Sequence, residues 1–151
     1  MAAAISRIFV PEVLDATYHC ATCGLHAQRT EHKRIDGAPD ILRIKIANLY
    51  YPSGQRNDNA IHLDARLDLT AYQAVLGRPA PLRYRLSSVL CHGGDGGTQA
   101  GHWTATVGGV EGVGYVDDGV VEGVNRGALG ENPRGGRQGV VVMYTRVVTR
   151  E

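Results

Sequence analysis

Apolar and polar residues alternate along several stretches of this chain, with the two-residue period of strands that bury one face. Leu42, Ile44 and Ile46 are separated by Arg43 and Lys45, just after a break at Pro39-Asp40. Ile61, Leu63, Ala65, Leu67 and Leu69 alternate with His62, Asp64, Arg66 and Asp68. Tyr84 to Leu90 predicts another strand with Cys91 at its end, and His102 to Val107 a return strand. Val113 to Val116 is short and extended, and Val140 to Val148, rich in β-branched residues, closes the series. One or two helical turns are predicted over Thr70 to Leu76, with Thr70 as cap and Gly77 as stop. His26 to Ile35 is polar and charged, an exposed strand leaving the tight turn Cys20-Ala-Thr-Cys23-Gly24. The segment 1–17 offers one apolar patch, Ile8-Phe9-Val10, and is otherwise undetermined.

The connections are rich in Gly, Pro, Asn and Asp. Between Gly93 and Gly139 lie sixteen of the twenty glycines, in loops at 93–97, 108–112 and 127–139. Asp117-Asp118-Gly119 is a turn of the kind that closes hairpins. These elements predict a single α+β domain, strongly β-dominated and antiparallel, with no repeat and no internal boundary.

Composition narrows the function. With 151 residues, 43% of them hydrophobic, the chain can bury a core. Sixteen basic against fifteen acidic residues leave a net charge of +1 and no basic footprint for nucleic acid. No apolar run reaches the length of a membrane span. Three cysteines, two of them in one Cys-x-x-Cys, suit a reducing intracellular compartment, cytoplasmic or nuclear.

Three groups of residues carry chemistry. His102 is followed fifteen positions later by Asp117, across a predicted hairpin that returns the chain beside it. An imidazole accepts a proton efficiently when a carboxylate holds its other nitrogen, so the pair is either a catalytic base with its orienting acid or a strand-end histidine beside an ordinary Asp-Gly turn. Cys20 and Cys23 offer half of a tetrahedral zinc site or two inert thiols; a redox role would want a βαβ context that is missing. Cys91 precedes His92, but neighbours on a strand face opposite ways, which favours a core cysteine. The glycine-rich segments match no phosphate cradle.

Taken in order, the pieces resemble the C-terminal half of the ubiquitin-specific proteases, a family of papain-like cysteine peptidases. Cys20-x-x-Cys23-Gly24 is similar to the second zinc knuckle of that family's fingers. Pro39-Asp-Ile-Leu-Arg-Ile-Lys-Ile46 is similar to its P-x-x-L-x-I-x-L strand, and Leu67-Asp-Leu-Thr-Ala-Tyr72 to its L-D-L-x-x-Y element. Tyr84-Arg-Leu86, with Val89 to Gly93 including His92, resembles Y-x-L-x-x-V-x-x-H-x-G. Gly101-His102-Trp103-Thr104-Ala105 resembles the histidine box, Val116-Asp117-Asp118 with Val120 the following aromatic-[DN]-D-x-x-V, and Val141-Val-Met-Tyr144 the closing L-x-Y strand. The resemblance covers residues 18–148.

It implies an antiparallel palm-like sheet with part of the fingers, and a thiol hydrolase that removes ubiquitin from proteins. His102 would be the general base, Asp117 the orienting acid and Asp118 an auxiliary polar residue near the oxyanion. Gly101, Trp103 and His92 would contact the Gly-Gly tail of ubiquitin, beneath a loop at 93–100. Catalysis would need no cofactor; Cys20 and Cys23 would contribute to a structural zinc site. The departures are equally definite. The family's G-N-T-C cysteine box, on a helix of the thumb, has no counterpart here, and the first zinc knuckle is missing as well. Trp103 replaces the usual Tyr, and Val116 an aromatic residue. The expectation is a deubiquitinase-like domain, inactive alone, whose partners are ubiquitin or a ubiquitinated protein and an N-terminal half bearing the cysteine box. Without the thumb, apolar surface near His102 should be exposed and favour association. The alternative is a non-catalytic ubiquitin-binding or zinc-knuckle interaction domain.

Overall fold

The fold was analysed in a computed structural model, which describes residues 1–15, 19–25, 28–47, 62–74, 80–93, 101–109, 111–124, 129 and 138–148. The loop expected over 94–100 and most of that over 127–139, together with Ile61, His26 and Gly77, lie outside the described residues. The chain forms α1 (Ala2–Ile8), β1 (Glu12–Leu14), β2 (Arg29–Glu31), β3 (Ile41–Lys45), β4 (Arg66–Asp68), a 3-10 turn (Thr70–Tyr72), β5 (Arg83–Gly93), β6 (His102–Gly108), β7 (Val113–Asp117), β8 (Val120–Val124) and β9 (Gln138–Arg146). β1 and β2 make a two-stranded ribbon. The other seven strands form one sheet in the order β3-β9-β5-β6-β7-β8, with β4 also on β5. Every pairing among these strands is antiparallel, so the α+β, strand-dominated class expected from the alternation is the fold observed.

β5 is the spine of the sheet. One edge runs along β9, while the other is shared: Arg83 to Arg85 pair with β4, and Ser88 to Gly93 pair with β6. A bulge interrupts its ladder with β9, because Leu86 faces Tyr144 and Ser88 already faces Met143. Ser87 is the extra residue, and its Oγ donates to the Met143 carbonyl at 3.0 Å. An extra residue reverses which side chains point inward. Accordingly Tyr84 and Leu86 are buried before the bulge, and Val89 and Cys91 after it. Cys91 is therefore an interior strand residue in the core, not a strand end as the sequence suggested.

The core gathers Leu67, Leu69, Leu82, Tyr84, Leu86, Val89, Cys91, Val142 and Tyr144, with Ile5 from α1. Two tyrosines at its centre keep their hydroxyls satisfied: Tyr84 donates to the Pro39 carbonyl at 2.8 Å and Tyr144 to the Asp64 carbonyl at 2.9 Å. Burial pushes both phenols up, that of Tyr144 to about 12.

Three elements differ from the sequence reading. Residues 1–17 contain α1, where Ala-rich sequence favours helix and Ile5 supplies the buried contact. The Asp64 carboxylate accepts the Ala2 N–H at 2.7 Å, and Phe9 stacks on Tyr72 with centroids 4.3 Å apart. The alternating run ending at Leu69 is a strand only over Arg66–Asp68, because the carbonyls just before it serve Tyr144 and the Leu86 N–H instead of a ladder. Finally, Thr70 does not cap its own turn: its Oγ1 accepts the Leu82 N–H at 2.8 Å, while Asp68 Oδ1 accepts the Thr70 N–H at 3.0 Å.

Candidate active site

The site is built on the hairpin β6–β7. Along β6, Thr104 and Thr106 are buried while Trp103 and Val107 are exposed, so the even positions, His102 among them, share the inner face. On β7 the buried positions are Val113 and Tyr115, which puts Asp117 on that same face. Thr104 stands opposite Asp117 and Thr106 opposite Tyr115. His102 and Asp117 are thus diagonal neighbours, and a histidine side chain spans that distance. His102 Nε2 and Asp117 Oδ1 are hydrogen-bonded. The other nitrogen, Nδ1, is left to exchange a proton with a reacting group. This is the arrangement of a base with its orienting acid.

Two further residues complete the cluster. Tyr115, two positions before Asp117 and therefore on the same face, donates to Asp117 Oδ2 at 3.4 Å, a long contact that restrains the second carboxylate oxygen. Sequence reading passed over it; the signal was the i, i+2 alternation that placed an aromatic hydroxyl beside the carboxylate. Asp118 occupies the turn with φ of 51°, a left-handed conformation that Asp tolerates better than most residues. Ligand atoms of His102, Asp117 and Asp118 all lie within 4.8 Å of one another, so the three predicted residues do converge. They are also the one described set of His, Cys or carboxylate groups with the spacing to hold a cation.

Gly101, His92 and Trp103 also converge, at the same end of the sheet but on its opposite face. His92 pairs directly with Trp103, and their rings lie 4.5 Å apart, tilted by 43°. Trp103 is 51% exposed. A Cβ on Gly101 would overlap the His92 ring and stand 2.8 Å from the Gly93 carbonyl oxygen. Glycine is therefore required there by the protein's own packing.

None of the three thiols stands ready to attack a substrate at His102. Cys91 is buried in the core, directly opposite Thr104. Cys20 and Cys23 occupy the turn before β2, where the Gly24 N–H donates to the Cys20 carbonyl at 2.8 Å and Gly24 takes φ of +67°. The Cys23 backbone N–H, helped by the Cys23 side chain and the Thr22 N–H, stabilises the Cys20 thiolate and lowers its pKa to about 7. N–H groups directed at a thiolate suit a metal ligand, but two sulfurs are half of a tetrahedral set.

The strand-dominated sheet thus presents a hydrogen-bonded histidine–aspartate pair on its β6–β7 hairpin. The chain belongs to the ubiquitin carboxyl-terminal hydrolase family, which matches residues 2–144. No curated protein matches it. Among solved structures it is similar to the SAGA DUB module of a Ubp8 variant with Sgf11, Sus1 and Sgf73 bound to monoubiquitin, at TM-score 0.76 and 18% identity, over 98% of this chain and 33% of that one. The corresponding Ubp8 module bound to ubiquitin aldehyde gives TM-score 0.77 at 18% identity, with the same coverage. The yeast SAGA DUBm with an Sgf73 variant gives TM-score 0.74 at 19% identity, again over 98% of this chain and 33% of that one. At such identities the likeness establishes the fold. The chain spans about a third of the length of these relatives.

Proposed function

We propose that this chain is the base-bearing part of a cysteine-type deubiquitinase and does not cleave ubiquitin conjugates by itself. The observation that carries the reading is the hydrogen bond between His102 Nε2 and Asp117, made where none of the chain's own cysteines can use it. In the complete reaction, Nδ1 of His102 would accept the proton of a thiol supplied by another segment. The thiolate would attack the carbonyl after the last glycine of ubiquitin, and His102 would hand the proton to the leaving amine. Water, deprotonated by the same nitrogen, would then release the acyl group from sulfur. Asp117 would fix the tautomer and Asp118 would add a polar group beside the reacting oxygen. Gly101, His92 and Trp103 would contact the ubiquitin tail.

Cys20 and Cys23 would supply half of the ligands of a structural zinc, fastening the ribbon of β1 and β2. An intracellular setting, cytoplasmic or nuclear, agrees with free thiols; no described helix is long and apolar enough to cross a membrane.

The decisive experiment mixes this chain with a separately produced cysteine-box and thumb segment of the same family and follows a ubiquitin–fluorophore substrate. Neither component alone should release fluorophore, the mixture should, and His102→Ala should silence it. Release by the chain alone, or a mixture unaffected by His102→Ala, would overturn the reading. A second reading, non-catalytic ubiquitin binding, is favoured by the exposed Trp103 over His92. It predicts saturable titration with ubiquitin, weakened by Trp103→Ala and indifferent to Asp117→Asn.

A further inference from the structure

The end of the sheet remote from His102 holds a cavity of about 710 Å³ whose wall carries Arg66, Arg83, Arg85 and Arg146. Register explains the crowding. Arg66 on β4 stands directly opposite Arg85 on β5, an arrangement in which like charges repel. One row further on, Arg83 faces Asp68 and its Nε donates to Oδ2 at 3.0 Å. Asp68 is the one carboxylate of the wall, and its other oxygen accepts the Thr70 N–H. No carboxylate among the described residues pairs with Arg66, Arg85 or Arg146. Four guanidiniums less one carboxylate give the wall a charge of +3, whereas the whole chain carries +1. The positive charge is therefore concentrated here and offset elsewhere.

Guanidinium forks match phosphate oxygens in pairs, and a phosphate monoester brings more charge and more acceptors than a single carboxylate. Beside the arginines, Val147 and Val148 are exposed and offer an apolar shelf. The volume falls in the range of small-ligand sites. We propose that this cavity binds a phosphate ester, with the phosphate received between Arg66 and Arg85 and the apolar remainder of the ligand against Val147 and Val148. The site is separate from the catalytic end: Arg85 and His92 are seven residues apart on β5, about 23 Å along an extended strand. Binding would also relieve the repulsion between Arg66 and Arg85, so the ligand should stabilise the fold.

The test uses the full chain, with calorimetric titration and thermal melting in low salt. The probes are pyrophosphate, a phosphoserine peptide with apolar residues after the phosphoserine, and the same peptide unphosphorylated. The phosphorylated probes should bind saturably and raise the melting temperature. Arg66→Gln and Arg85→Gln should each weaken binding about tenfold, while Arg43→Gln, outside the cavity, should leave it unchanged. Should either Gln variant unfold, Arg85→Lys keeps the charge, removes the fork and should still weaken binding. A peptide far tighter than pyrophosphate would mark the ligand as a phosphorylated protein segment; equal affinities would mark it as a small soluble phosphate. Failure of both phosphorylated probes to saturate at millimolar concentration, equal binding of the unphosphorylated peptide, or affinity unchanged in the Arg66 and Arg85 variants would overturn the proposal.

Discussion

Asp117 stands across from Thr104, and yet it binds His102, two residues away on the neighbouring strand. That diagonal matters because it leaves the position directly across from Asp117 to a small buried side chain. A bulkier residue at 104 would push the carboxylate away from the imidazole. The pair therefore depends on register as much as on the identity of its two members.

The close approach at Gly101 can be measured as a coupling. Gly101→Ala places a methyl group against the His92 ring and the Gly93 carbonyl. Overpacking of this kind should cost about 1–3 kcal/mol in urea denaturation. His92→Ala removes the ring but not the carbonyl, so the double variant should recover part of that loss in a mutant cycle. Simple additivity would mean that the ring is not what excludes a side chain there.

Tyr144 should govern the alkaline limb of the stability profile. Burial raises its phenol from 10 to about 12, so the folded state holds a proton that the unfolded chain releases. The contribution is fully present below pH 10 and is lost as pH rises toward 12. Tyr144→Phe should flatten that decline. At neutral pH the same variant should cost about 1–3 kcal/mol, because the Asp64 carbonyl loses its donor. Denaturant melts across the alkaline range, read alongside tyrosinate absorbance, would check both effects.

The acid limb should depend on Asp64 and Asp68. The Ala2 N–H lowers the pKa of Asp64, and hydrogen bonds from Thr70, then Arg83, lower that of Asp68. Both groups stabilise the fold above the ordinary carboxylate range and lose that contribution as pH falls through their lowered folded values. Asp64→Asn and Asp68→Asn should each make stability less steep below about pH 4. Because Asp68 is largely exposed, its effect should be small and weakened further by salt.

The thiols should separate by reactivity. In metal-free protein, Cys20 should be alkylated with a midpoint near pH 7, while buried Cys91 should resist until the chain unfolds. Mass mapping after timed alkylation would show the order. Zinc that protects Cys20 and Cys23 together, leaving the behaviour of Cys91 unaltered, would support the knuckle.

Much of this was legible in the sequence. The hairpin arithmetic from His102 to Asp117 brought two particular side chains to one face, and alternation in β3 and β6 gave their strands. Other parts were not. β8 was hidden because Val120, Val121 and Glu122 are all exposed on an edge strand and leave no in-and-out pattern. α1 is too short to show a helical period, and the carbonyls of Asp64 and Ala65 are claimed by residues far along the chain. The packing of Gly101 against the His92 ring and the Gly93 carbonyl was likewise invisible, since it depends on how β5 and β6 pair. The carbonyls that end the Ile61–Leu69 alternation are claimed by partners distant in sequence, which local pattern does not encode.

The spare serine in β5 makes counting indispensable in this strand. Remove Ser87 and every residue beyond it shifts by half a pleat: Val89 and Cys91 turn to water, His92 turns inward, and Trp103 loses its ring neighbour. β6 is zipped to that same half of β5, so the error would travel into the strand that carries His102. Between Tyr84 and Gly93, then, chain length is as much a determinant of this molecule as any side chain. A one-residue deletion there should do more harm than most substitutions.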